Sequence, residues 1–129
     1  MPTKLQLHFA ADAPKGDLIT ICLIADGGQI VPSLDQDVAA HLIDAMAALK
    51  FTGGAGKTML AYHNRKIYLL IGMGAALNAG TAAENLGGQL FSAVADTNVK
   101  RGWLIDHRLD HALLADICFG AELASYHFN

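Results

Sequence analysis

Apolar and polar residues alternate with two different periods along this chain, and each change of period marks a predicted element. Residues 4–9 alternate between apolar and polar, which is typical of a half-buried strand. Residues 18–25 are almost continuously apolar and rich in β-branched side chains, which favours a central strand covered on both faces. Residues 58–62, 66–71 and 100–106 predict three further strands.

Three other stretches carry apolar residues at helical spacing. Ser33 and Gln36 form a capping box in front of a helix that we expect to end near residue 50. Thr81 and Glu84 form a second box, and the helix behind it should end near residue 96. A third helix is predicted from Asp110, as its N-cap, to about residue 126.

Strands and helices alternate along the chain, without an internal repeat, linker or low-complexity tract. This order predicts a single α/β domain over residues 1–129 with helices on both faces of its sheet. The two-residue turn Asn64-Arg65 requires an antiparallel pair, so the five- to six-stranded sheet should be mixed. Gly87 and Gly88 each destabilise the second helix by about 1 kcal/mol relative to Ala, which predicts a close backbone approach there.

Composition excludes several classes of protein. The chain is 53% hydrophobic and 16% charged, which excludes intrinsic disorder. No apolar run approaches the roughly 18 residues of a membrane span, and the first residues lack a signal-peptide pattern, so we expect a cytoplasmic protein. The net charge of -3 argues against nucleic acid as a partner. Cys22 and Cys118 lie in apolar runs and are expected to be free thiols.

Two glycine-rich segments suggest phosphate or ligand binding. Residues 53–58 end like a phosphate-binding loop, but Phe51 replaces the required first glycine, and the loop follows a helix and opens a strand. The second segment is more favourable, since Gly72 and Gly74 follow a strand and precede a helix whose N-terminus could hold an anion. A ligand at this loop, residues 72–80, would contact Gly72, Gly74 and Gly80.

Histidines offer no convincing metal or catalytic site. His107, Asp110 and His111 imitate a zinc-protease pattern, but they lie across a strand end and a helix start. We therefore predict no metal ligand there. The others, His8, His41, His63 and His127, are expected to be isolated surface residues or satisfied polar groups, and no catalytic residue is predicted.

Three segments together resemble a known family. They are FTGGAGKTML from Phe51, KIYLLIGMG at residues 66–74, and the final FGAELASYHFN. The last is the most specific, because it carries Gly120, Leu123, Ala124, Tyr126 and Phe128 in a Gly-x-x-Leu-Ala-x-Tyr-x-Phe pattern. In this order and spacing, the segments resemble the amino-terminal domain of the leucyl (cytosol) aminopeptidases of family M17.

The resemblance implies a fold similar to the macro domain, within a cytoplasmic homohexameric enzyme that removes amino-terminal residues from peptides. Two divalent metals, zinc or manganese, would activate the attacking water. The family's metal ligands lie in a carboxy-terminal domain, within an Asn-Thr-Asp-Ala-Glu-Gly-Arg-Leu segment that these residues lack. The resemblance therefore implies a non-catalytic structural and assembly domain, whose partners are its own catalytic domain and sister subunits. The alternative is a macro-type module that binds an ADP-ribose-like compound at residues 72–80, with Asp26 as the strand-end Asp that would contact the adenine.

Overall fold

The structure is a computed structural model that describes residues 6–10, 15–30, 34–74, 80–97, 99, 101–105 and 111–125. Within these residues, six strands and three helices follow one another as β1 (Gln6–Ala10), β2 (Ile19–Ala25), β3 (Gln29–Ile30), α1 (Gln36–Ala48), β4 (Thr58–His63), β5 (Lys66–Gly74), α2 (Thr81–Ala95), β6 (Arg101–Ile105) and α3 (His111–Ser125). The predicted α/β class is confirmed.

All six strands form one mixed sheet in the order β1-β6-β2-β5-β4, and the short β3 pairs with the end of β2. β1, β6, β2 and β5 run parallel, whereas β4 is antiparallel to β5. Asn64 and Arg65 join β4 to β5 with φ angles of 49° and 65°, which is the geometry of a type I′ hairpin turn. The predicted mixed sheet is confirmed.

Each face of the sheet carries its own apolar core, and the alternation along β2 separates the two. Ile19, Ile21 and Leu23 lie in a core that includes residues of α2 and α3. Cys22 and Ile24 lie in the opposite core, which includes Leu42 and Met46 of α1. Helices therefore cover both faces, as the periodicity predicts.

Both capping boxes were placed wrongly. α1 begins only at Gln36, with Asp35 as its N-cap, so Gln36 cannot be the third helical residue; Ser33 lies outside the described residues. Thr81 is the first residue of α2, and Gly80 is the N-cap. Gly80 has a φ of 113°, a backbone conformation that favours glycine. Its N–H donates to Asp116 Oδ2 of α3 at 2.6 Å, so a carboxylate from another helix stabilises this terminus.

Two strand predictions also need correction. The predicted loop at Gly72 and Gly74 belongs to β5, which extends to residue 74 because it continues to pair with the end of β2. The two-residue β3 was missed, because so short a segment has no period to recognise. α1 ends at Ala48 rather than near residue 50, while the predicted strand residues 4, 5, 100 and 106, and residues 110 and 126 of the last helix, lie outside the described residues.

Candidate functional site

The carboxyl ends of β2 and β5 meet at one edge of the sheet, where open α/β sheets ordinarily bind their ligands. The glycine-rich loop of residues 52–57 crosses this edge and is held by backbone hydrogen bonds. Gly27 N donates to Thr52 O at 2.9 Å, and Gly74 N donates to Gly53 O at 3.0 Å. Gly72 N donates to Lys57 O at 2.8 Å and its carbonyl accepts from a further loop amide, so the loop behaves as an additional partner of β5.

Glycine is required at this edge because the backbones approach one another too closely for side chains. A methyl group at Gly72 would overlap the carbonyl oxygen of Gly54, and one at Gly53 would overlap that of Ala25. A methyl group at Gly74 would lie 2.9 Å from the Cβ of Ala55. The loop backbone therefore packs directly against these glycines.

The four residues predicted to bind a ligand have different surroundings. Asp26 is exposed in the turn that follows β2, one residue beyond the pair between Ala25 and Gly74. Gly72 and Gly74 contact the loop, and Gly80 donates its N–H to Asp116. Ligand binding at these residues stays a prediction, and saturable ADP-ribose binding to the purified chain is its test.

Glycines also let the backbones of α2 and α3 approach each other closely. A methyl group at Gly87 of α2 would overlap Ile117 O and lie 2.8 Å from Ala121 N of α3. One at Gly120 of α3 would overlap Glu84 O of α2. The prediction of close approach is therefore correct for Gly87. It is wrong for Gly88, where a methyl group would lie 3.8 Å from the nearest atom, Gly120 O, in ordinary contact.

An open groove of about 790 Å³ lies between the start of β4 and the two helices of this layer. Its wall mixes polar and apolar groups, and its two carboxylates, Glu84 and Asp96, both come from α2 or its C-cap. They stand twelve residues apart, which is about 18 Å along a helix. At that separation the two groups cannot act together as an acid and a base on one bond.

Two histidines expected to be isolated, His41 and His63, contact each other, whereas His8 has a buried ring nitrogen that no described group satisfies. His63 Nε2 lies 3.0 Å from Asp37 Oδ2, which joins the end of β4 to the first turn of α1. The His41 ring stacks beside His63 with a centroid separation of 4.5 Å. Nε2 of His8 is buried without a hydrogen-bond partner within the described part of the chain. His107, Asp110 and His127 lie outside the described residues, and His111 is an exposed residue at the start of α3.

Comparison with known proteins identifies the family. A sequence profile described as the cytosol aminopeptidase family, N-terminal domain, matches residues 24–129. The chain belongs to the cytosol aminopeptidase family. The predicted resemblance is confirmed, although Tyr126 and Phe128 of its final motif lie outside the described residues.

A solved structure supports the fold of this aminopeptidase domain. A mutant of tomato leucine aminopeptidase matches with a TM-score of 0.64 and 17% sequence identity. The match covers 94% of this chain and 28% of the tomato chain, so the domain spans less than a third of that protein's length. Among curated proteins, none matches the sequence significantly.

No group of three or more His, Cys, Asp or Glu residues in the described ranges could hold a metal ion. No helix in the described part of the chain is long and apolar enough to cross a membrane. Neither Cys22 nor Cys118 forms a disulfide, as predicted, and burial raises the pKa of the Cys22 thiol to about 12.

Proposed function

We propose that this chain is the non-catalytic structural and assembly domain of a cytoplasmic, metal-dependent leucyl aminopeptidase. The observation that carries the proposal is the match of residues 24–129 to the N-terminal domain of the cytosol aminopeptidase family. A fold likeness to a tomato leucine aminopeptidase, of which the match covers 28%, supports the assignment of this chain to one domain of such an enzyme.

In the proposed parent enzyme, two divalent cations, zinc or manganese, would supply the chemistry of peptide hydrolysis by activating a water molecule. The described residues do not fit such a pair of ions, since they offer no group of three donors. Asp37 and His63 are already paired with each other, and Glu84 and Asp96 are too far apart to share an ion. We therefore assign no step of the reaction to this chain.

The proposed role is instead to present contact surfaces on a rigid body. The large apolar side chains that remain exposed lie on elements whose other sides are packed: Ile43 on α1, Leu49 at its C-cap, Leu60 and Tyr62 on β4, and Phe119 and Leu123 on α3. α3 is apolar on several sides, a pattern expected of a helix that becomes covered in a larger assembly. The proposed partners of this chain are the catalytic domain of the same polypeptide and sister subunits in a homohexamer.

Activity measurements test this proposal directly. The purified 129-residue chain and the full product of its gene would each be assayed on leucyl p-nitroanilide with added Zn²⁺ or Mn²⁺. We expect hydrolysis by the full product and none by the 129-residue chain. Hydrolysis by the 129-residue chain, or a full product without aminopeptidase activity, would contradict the proposal.

A further inference from the structure

β4 forms an open edge of the sheet. Among the strands that the structure describes, β4 is the last of the order and pairs only with β5, with His63 opposite Lys66 across the two-residue turn. In a hairpin of this kind the residues that close the turn are hydrogen-bonded to each other, and bonded and non-bonded pairs then alternate. The backbone N–H and C=O groups of Thr58, Leu60 and Tyr62 therefore point away from β5. No hydrogen bond to them occurs within the described part of the chain.

Side chains on this edge are unusually apolar for an open strand. Leu60 is 40% exposed and Tyr62 is 63% exposed. They share one face of the sheet, because they stand opposite Leu69 and Ile67 of the core on that side. Residues 58–62 contain no charge and no proline, which are the usual protections of an exposed edge. The strand is therefore suited to pairing with another strand.

We propose that β4 pairs with β4 of a second copy of this chain, antiparallel about a two-fold axis at Leu60. This register places Leu60 opposite its own copy and Thr58 opposite Tyr62 of the partner. It is the one symmetric register in which all three outward residues of each strand find an outward residue, so it forms the most hydrogen bonds. The two Leu60 side chains meet on one face, with a Tyr62 ring diagonally beside each.

Charge complementarity favours a second copy over an unrelated strand. In the proposed register, Lys57 stands opposite His63 of the partner. By strand alternation its side chain lies on the same face as His63, which is the face covered by α1. The carboxylate of Asp37 in α1 lies 3.0 Å from Nε2 of His63, and its side chain is 81% exposed. It can therefore form an ion pair with Lys57 of the other copy. The two-fold axis produces this ion pair twice.

This inference gives the proposed assembly role one specific contact, but the pairing does not require a catalytic domain. It is therefore tested on the 129-residue chain by sedimentation equilibrium over about 1 µM to 1 mM, a range suited to a small and weak interface. We expect a reversible monomer–dimer equilibrium. A monomer throughout the range would overturn the pairing and leave the aminopeptidase proposal standing, whereas an inactive full gene product would overturn only the latter.

Leu60→Pro tests whether the edge itself makes the contact. Proline at residue 60 removes an N–H that points away from β5, so the hairpin is retained while pairing to a second copy is blocked. We expect this variant to lose dimerisation at least tenfold in affinity while keeping the circular dichroism spectrum of the wild type. A folded Leu60→Pro variant that dimerises as the wild type does would overturn the proposal.

Charge reversal tests the register without disturbing the strand. Lys57→Glu should weaken the dimer several-fold through repulsion by Asp37 of the other copy, and the double variant Lys57→Glu/Asp37→Lys should recover much of the loss. Lys15→Glu is the matched control, because the same charge change lies beside Arg101 of β6, away from β4. Equal weakening by Lys57→Glu and Lys15→Glu, or no recovery in the double variant, would contradict this register.

Discussion

The helix layer and the β4 edge show two opposite uses of the backbone. Where α2 crosses α3, Gly87 and Gly120 let the two backbones touch, and no side chain fits at either position. At β4, the outward backbone groups have no strand beside them within the described part of the chain, and two large apolar side chains, Leu60 and Tyr62, remain exposed. The helix crossing is packed by residues of this chain alone. The outward backbone groups of β4 can form hydrogen bonds with an added strand.

This difference separates stability from function in the domain. At the helix crossing and at the loop of residues 52–57, neighbouring backbone occupies the place that a side chain would take. Substitutions of these glycines should therefore lower the free energy of unfolding. Changes on the exposed edge should leave folding intact and alter association. A substitution that lowers folding stability therefore marks a tightly packed position, and one that alters only association marks the exposed edge.

Gly87→Ala should have the largest effect. Its methyl group would overlap Ile117 O, and rigid helix backbone cannot move aside as a flexible side chain would. We expect a loss of about 3 kcal/mol in the free energy of unfolding, or roughly 10 °C in Tm. Gly88→Ala is the matched control and should stabilise the domain by up to about 1 kcal/mol, since its methyl group fits. Thermal melts with equal Tm changes for the two variants would contradict the glycine-closed crossing.

Gly72→Ala should be the next most damaging change, because its methyl group would overlap the carbonyl of Gly54. We expect a loss of about 2 kcal/mol measured by urea denaturation, as the loop must leave β5. Gly54→Ala serves as the control on the same loop, since its methyl group would meet only Lys57 Cγ, at 3.4 Å. If Gly72→Ala were as stable as Gly54→Ala, the loop would not be packed against β5 as described.

Asp116→Ala should destabilise the closed region more modestly. It removes the carboxylate that accepts the Gly80 N–H at the start of α2, so we expect a loss of about 1 kcal/mol. Glu122→Ala, at an exposed position of the same helix, should change the free energy of unfolding by less than about 0.5 kcal/mol. Urea denaturation that finds no difference between these two variants would exclude a capping role for Asp116.

The smallest effect at neutral pH concerns Cys22. Its pKa is about 12 in the folded chain and near 9.0 when the thiol is solvated, so the folded state keeps the proton longer than the unfolded state. The resulting stabilisation is complete below pH 9 and is lost as the pH rises from 9 toward 12.

At pH 8, a thiol reagent should modify the half-buried Cys118 well before Cys22. Equal labelling rates would show that the α1 side of the sheet opens readily.

Local patterns in the sequence predict most of the fold. The continuous apolar run of β2, the helical spacing of α1 and the two-residue turn after His63 each act over a few neighbouring residues, and each predicts the right element, although the start of α1 was misplaced. The errors at the start of α2 and the end of β5 have another origin. Asp116 lies 36 residues from Gly80, and the loop that pairs with β5 precedes it in the chain, so no local pattern could reveal either contact.

The surface chemistry is harder to predict for the same reason. His63 and Asp37 are 26 residues apart and meet only because α1 packs over the sheet. The family resemblance comes from segments that include Gly72 and Gly120, where side chains are excluded by neighbouring backbone. Those motifs therefore coincide with packing requirements of this domain.

The reading frame of the source gene beyond the codon for Asn129 tests the central claim most directly. If this chain is the non-catalytic domain of a leucyl aminopeptidase, the frame should continue into a second domain that contains the Asn-Thr-Asp-Ala-Glu-Gly-Arg-Leu segment. A stop codon directly after Asn129 would contradict that claim. In that case the pairing of β4 edges, measured on the chain alone, would remain to be explained by a different function.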